Sequence, residues 1–151
     1  MEAGSLVQLQ DFGAAAALSL AAAGSALGTG TAGMAAVGAW KKCYAQSKAA
    51  PFMLLVFVGA PLTQTIYGLI LMLSITEAAV AGHYLIGMGL FGGLAMGASA
   101  MMQGKAAAAA SDAFAETGKG FTNYLIVLGV VETVALFVMV FLMSIIGKFV
   151  G

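Results

Sequence analysis

A single carboxylate stands where a membrane would least tolerate it. Glu132 lies in the run Leu128-Gly129-Val130-Val131-Glu132-Thr133-Val134-Ala135, about ten residues and so roughly 15 Å into the last apolar segment at 1.5 Å per residue. A charge near mid-bilayer is costly, and an ionisable group there is by default functional and turned to a partner or a cavity. The plainer alternative is a protonated acid that only fixes helix packing. A second polar patch, Pro61-Leu62-Thr63-Gln64-Thr65-Ile66-Tyr67-Gly68, sets hydroxyls, an amide and a phenol between bulky apolar runs. Pro61 has no N–H to offer the carbonyl of Phe57, so a main-chain oxygen near this kink is free to accept or ligate. Gln103 closes the third apolar segment. Hard alkali cations need several oxygen ligands, on the reasoning that applies to other hard ions. Glu132 supplies charge, Gln64 and Gln103 supply amide carbonyls, Thr63 a hydroxyl, and the kink a main-chain oxygen. A proton needs only the carboxylate, so the excess of oxygens argues for sodium. Thr63 and Gln64 equally suit interhelical hydrogen bonding, and Tyr67, one turn on, either donates to the carboxylate or packs.

The elements that must position these groups follow from composition. The chain has 151 residues, 62% apolar and 8% charged, with a mean hydropathy of +1.02, which a soluble domain of this size could not hide. At roughly 20 apolar residues per span, the length accommodates about four spans and no soluble catalytic domain. Apolar or small residues run from about Gly13 to Ala39. A polar loop with three lysines, Trp40 to Lys48, follows, and Pro51 opens the second span at the first turn of a helix. That span runs to about Ile75, before a short turn marked by Glu77, Gly82 and His83. The third begins near Tyr84 and fades into alanines after Lys105; the last runs from Thr122 to about Gly147. Glu77, Asp112 and Glu116 are expected in turns and Cys43 in a loop. Gln103 then falls nearer the cytoplasmic side than Glu132, and joins it only if helix 3 continues past the membrane or tilts.

Charge orients the spans. The loop after helix 1 carries lysines and the turn after helix 2 carries none, so both longer loops are expected in the cytoplasm and both termini outside. With Glu2 and Asp11 and no basic residue before helix 1, that helix is expected to be retained rather than cleaved. Formal net charge is zero and all six basic residues are lysine, so nothing suggests nucleic acid. Without arginine the chain has no guanidinium clamp, and one cysteine excludes an intrachain disulfide or a cysteine-based metal site. Trp40, Tyr44, His83 and Tyr84 suit interfacial anchors, and the ten methionines suit adaptable packing.

The halves look related at a shift of about seventy residues: Gly33-Met34-Ala35-Ala36 matches Gly104-Lys105-Ala106-Ala107, and Gln64-Thr65 matches Glu132-Thr133. Two tandem hairpins of like orientation, about 10–78 and 82–150, form a single membrane domain over 1–151. Of the 27 residues from Gly13 to Ala39, all but Leu18, Leu20, Leu27, Met34 and Val37 are Gly, Ala, Ser or Thr. Gly24 with Gly28, and Gly89 with Gly93 and Gly97, form GxxxG pairs that let backbones approach closely. Helices 2 and 4, rich in Leu, Ile, Val, Phe and Met, suit hydrocarbon. Slim helices 1 and 3 beside bulky helices 2 and 4 suggest an inner and an outer layer of a multi-subunit assembly.

Together, Pro61 to Gly68, Gln103-Gly104-Lys105-Ala106-Ala107-Ala108 and Val131-Glu132-Thr133 resemble the proteolipid that forms the membrane ring of vacuolar- and archaeal-type rotary ATPases. The resemblance implies an all-α membrane protein whose copies form a rotor ring with helices 1 and 3 inside and 2 and 4 outside. It also implies an arginine-bearing membrane stator subunit, central-stalk subunits and a separate soluble ATPase head, this chain being non-catalytic. Glu132 matches the ion-carrying glutamate. The ligand pattern of the sodium-translocating bacterial branch matches Thr63, Gln64, Gln103 and Glu132, with Ala60 lending its main-chain carbonyl and Tyr67 locking the glutamate. That arrangement would also bring Gln103 to the level of Glu132. No organic cofactor is implied; the bound ion is Na+, or H+ if not. Leu62 and Thr65 depart from glycine in that branch, and Leu62 is similar to proton-pumping relatives.

Three other readings compete. A small four-helix proton-coupled multidrug antiporter also uses one intramembrane glutamate, but usually in its first helix. An integral-membrane glutathione-type transferase needs cationic residues to hold a peptide thiol, against the absence of arginine. A purely structural tetraspan protein leaves Glu132, Gln64 and Thr63 unexplained.

Overall fold

The structure is a computed structural model that describes residues 3–150, with side chains from Phe12 onward. Glu2 and the side chain of Asp11, which bear on the expectation that helix 1 is retained, lie outside the described residues. Every regular element among the described residues is helical: α1 (Ala3–Ala45), α2 (Leu54–Gly59), a 3-10 turn (Ala60–Leu62), α3 (Thr63–Val80), α4 (Ile86–Thr117) and α5 (Phe121–Val150). Among the described residues, four stretches are long and apolar enough to cross a membrane, α2 and α3 together making the second.

Several boundaries differ from those the hydropathy suggests. The expected loop from Trp40 is helical as far as Ala45, and the alanine-rich stretch after Lys105 is helical to Thr117. Apolar runs mark where lipid is, whereas helix length depends on backbone hydrogen bonds and on a partner to pack against. Here α1 and α4 supply each other with that partner beyond the apolar zone. At about 65 Å and 48 Å for 43 and 32 residues, both exceed the roughly 30 Å hydrocarbon core. On this extension Cys43 is a buried helical residue rather than a loop residue. Asp112 and Glu116 are likewise on α4 rather than in a turn, accepting from Lys42 of α1 at 2.8 and 3.4 Å. Glu77 is within α3. Pro51 lies before the helix that starts at Leu54, in a turn where its carbonyl accepts from the Trp40 indole N–H at 2.8 Å. Gly118, at φ +65°, ends α4 in the left-handed conformation, and its N–H caps the Phe114 carbonyl at 2.8 Å, as a helix-terminating glycine does.

Glycine sets the closest packing. Gly13 meets the backbone of Gly89, Gly24 that of Gly97, and Gly28 that of Ala100 and Gly104, so α1 and α4 run parallel with backbones in contact. A Cβ at Gly24, Gly89, Gly97 or Gly104 would strike main-chain atoms of the facing helix. The GxxxG glycines expected to permit close approach do so, and Gly104 joins them. Gly68 brings α3 onto Ala17 and Ala21 of α1, while α5 rests on α3 and α4. Its outer surface exposes Ile126, Val130, Val134, Phe137 and Phe141.

The buried apolar residues form two clusters with a gap between them. One holds Ala21, Leu71, Met96 and Ala135; the other holds Ala32, Phe57, Ala107 and Leu128. Phe57 packs on Phe114, Phe121 and Tyr124 with ring centroids 5.2 to 6.2 Å apart. Thr63, Gln64 and Tyr67 of α3, Ser99 and Gln103 of α4 and Glu132 of α5 lie in the interval between the clusters.

Candidate functional site

The interval on the second span begins at the interruption caused by Pro61. Without its N–H the regular i to i−4 pattern fails, and the chain tightens into the 3-10 turn Ala60–Leu62 before resuming as α3. Just beyond it, the Thr63 hydroxyl lies 3.1 Å from the Ala60 carbonyl and 3.3 Å from Gln64 Oε1. Three oxygens therefore converge at the kink. Leu62 faces outward at 51% exposure.

Gln64 and Gln103 are both fully buried, and Gln64 Nε2 donates to Gln103 Oε1 at 2.8 Å. Gln103 Nε2 in turn donates to the Leu128 carbonyl at 3.0 Å and to Glu132 Oε2 at 3.2 Å. Tyr67 donates its phenolic proton to Glu132 Oε1 at 2.8 Å. The depth at which Gln103 meets Glu132 follows from the extension of α4 past Lys105, so helix 3 does continue as that juxtaposition requires.

The polarity of this chain of bonds is forced from one end. A carbonyl only accepts, so the Leu128 oxygen requires Gln103 to present its NH2 toward α5. Gln103 Oε1 must then face Gln64, which answers with its own NH2 and leaves Oε1 toward Thr63. Both Glu132 oxygens receive donors, Oε1 from the Tyr67 phenol and Oε2 from the Gln103 amide. Glu132 is only partly buried. The side chains bonded to Glu132 are a phenol and an amide, neither of them a cation.

The six residues expected at the ion site, Ala60, Thr63, Gln64, Tyr67, Gln103 and Glu132, are joined in one contiguous hydrogen-bond network. Two participants escaped the sequence reading. Ser99, on the same face of α4 as Gln103 one turn earlier, donates to the Val131 carbonyl at 3.0 Å, and the Leu128 carbonyl orients Gln103. The i, i+4 spacing of Ser99 and Gln103 was the available signal. Trp40 is tied to the first connection through Pro51, Tyr44 is exposed, and the His83 ring lies 5.3 Å from that of Phe149.

A four-span helical membrane protein with one carboxylate clasped between three of its spans is the class that fold and site define. Residues 86–145, spanning most of α4 and α5 and including Ser99, Gln103 and Glu132, match the ATP synthase C-subunit family. The match covers 60 of the 151 residues. Comparison with curated proteins finds no match.

Proposed function

We propose that this chain is a non-catalytic, ion-translocating rotor-ring proteolipid of a V-type (vacuolar or archaeal-type) rotary ATPase, carrying Na+ across the membrane on Glu132. The observation that carries this reading is the continuous network from Thr63 through Gln64 and Gln103 to Glu132, closed by Tyr67. The donor set fits a hard alkali cation: the Glu132 carboxylate, the amide oxygens of Gln64 and Gln103, the Thr63 hydroxyl and the Ala60 carbonyl. Sodium is the cargo on this reading. A proton would make no use of the oxygens at the kink.

An ion-loaded Glu132 is neutral in sum and can pass lipid, whereas a bare carboxylate there is costly. Release therefore belongs opposite a fixed cation, and because this chain has no arginine a stator subunit supplies it. Identical copies form the ring through the slim helices α1 and α4, with α3 and α5 turned to lipid. The two longer connections face the cytoplasm and the central stalk of the ATPase head, and the termini face outside the cell membrane. The likeness of the two halves suits a duplicated hairpin.

Carbodiimide reacts readily only with a protonated carboxyl, so mass-spectrometric labelling of Glu132 in solubilised protein tests the reading. Sodium is expected to suppress labelling near neutral pH, and Glu132→Gln is expected to abolish ion transport while leaving the assembly intact. Labelling that responds to pH and ignores sodium would make it a proton carrier; appreciable ion-coupled transport by Glu132→Gln would remove the central claim.

A further inference from the structure

Glu132 sits on a helix that must be held at one rotation and one depth if its two oxygens are to meet donors on two other helices. α5 is poorly suited to holding itself. Its outer surface is apolar and, of its residues near the site, only Leu128 and Ala135 are buried, so apolar packing locates it weakly about its own axis. The structure supplies a polar clasp instead. Ser99 Oγ donates to the Val131 carbonyl at 3.0 Å and Gln103 Nε2 to the Leu128 carbonyl at 3.0 Å. The two donors are one turn apart on α4, and the two acceptors are three residues apart on α5, on the N-terminal side of Glu132. In a regular helix each such carbonyl also receives its own i+4 N–H, and its second lone pair takes the side-chain donor. The Leu128 carbonyl is the one that receives the N–H of Glu132 itself.

We propose that Ser99 is a positioning residue for Glu132: with Gln103 it pins the α5 backbone at two points, so that the carboxylate faces Gln103 and Tyr67. This inference rests on Glu132 being the ion-carrying group. Ser99 is 7% exposed and touches the residue preceding Glu132 through main chain, so its effect passes through the placement of α5. Thr133 provides the control. Its hydroxyl is as near to Glu132 in sequence but donates to the Val130 carbonyl of its own helix at 2.7 Å, so it clasps nothing across the bundle.

The test is the rate of carbodiimide labelling at Glu132, resolved by mass spectrometry in solubilised full-length protein at one near-neutral pH without sodium. In Ser99→Ala the α5 backbone loses one of its two pins and the carboxyl is released from Gln103 and Tyr67 to meet the reagent, so labelling is expected to quicken roughly five-fold, the factor associated with one net hydrogen bond. Ser99→Cys keeps the size with a weaker donor and should fall between Ser99→Ala and the parent, while Thr133→Ala should match the parent. If Ser99→Ala does not fold, Ser99→Cys decides alone, faster labelling supporting the proposal and the parent rate overturning it. Parent-like labelling in Ser99→Ala, or equal acceleration in Thr133→Ala, overturns the positioning role while leaving Glu132 as carrier. A parent in which Glu132 never labels at any pH overturns the carrier reading and this inference with it.

Discussion

Replacing the two buried amides singly and together would measure the bond on which the site's polarity depends. Leucine is close to glutamine in volume and brings no polar atom. Gln103→Leu strips a donor from Glu132 Oε2 and leaves the Gln64 NH2 facing hydrocarbon. Each buried unsatisfied group costs about 1–3 kcal/mol, and more when charged, so this variant should lose roughly 2–6 kcal/mol. Gln64→Leu leaves only Gln103 Oε1 without its 2.8 Å donor, a loss of about 1–3 kcal/mol. In the double variant both amide orphans vanish and only the loss at Glu132 persists. Its destabilisation should therefore fall short of the summed singles by the cost of both orphans, about 2–6 kcal/mol, the lower part of which overlaps the range for contacting residues. Hydrogen bonds between membrane helices average nearer ~0.6 kcal/mol because the unfolded chain also finds partners, so about 0.5 kcal/mol is the smallest shortfall that counts. The assay is unfolding of the solubilised protein by increasing SDS fraction, followed by far-ultraviolet circular dichroism. Additivity of the two substitutions within about 0.3 kcal/mol would refute the Gln64 to Gln103 bond and the orientation argument built on it.

Two structural predictions accompany this. Gly97→Val places a side chain against the main chain of Leu20 and Gly24, whereas Gly30→Val enters open space; the first should destabilise by about 1–3 kcal/mol or more and the second very little, as read by the same SDS titration. Lys42→Ala removes ion pairs to Asp112 and Glu116 whose side chains are more than half exposed, and exposed pairs contribute about 1 kcal/mol or less; an SDS midpoint far below the parent's would show that this contact holds α1 to α4 more strongly than its exposure allows.

Hydropathy and residue size made much of the fold legible. Uninterrupted apolar runs can satisfy their backbone in lipid only as helices or closed barrels, and their lengths suit helices, so four spans followed from the chain directly. Gly24, Gly28, Gly89, Gly93 and Gly97 announced close packing because a missing Cβ is useful in lipid chiefly where another backbone approaches. Helix ends were less legible. Lys41, Lys42 and the alanines after Lys105 carry no hydrophobic signal, yet they are helical because α1 and α4 continue to pack on each other there. Asp112 and Glu116 looked like turn acids for the same reason.

Residue types and their order suffice to name the groups that can do chemistry. Glu132, Gln64, Thr63, Gln103 and Tyr67 stand out because polar atoms inside apolar runs are expensive and need a use. The release of a main-chain oxygen at Pro61 is equally plain from the chain, since the missing N–H is a covalent fact. That these groups meet is a property of the packed helices. Whether Gln103 reaches Glu132 depends on how far α4 extends, and whether Ser99 faces Val131 depends on rotation about helix axes. Helices with small residues on every side, such as α1, carry no amphipathic stripe to reveal that rotation. The direction of the amide chain is likewise set across helices, because the acceptor that orients Gln103 is a backbone carbonyl, and every residue has one.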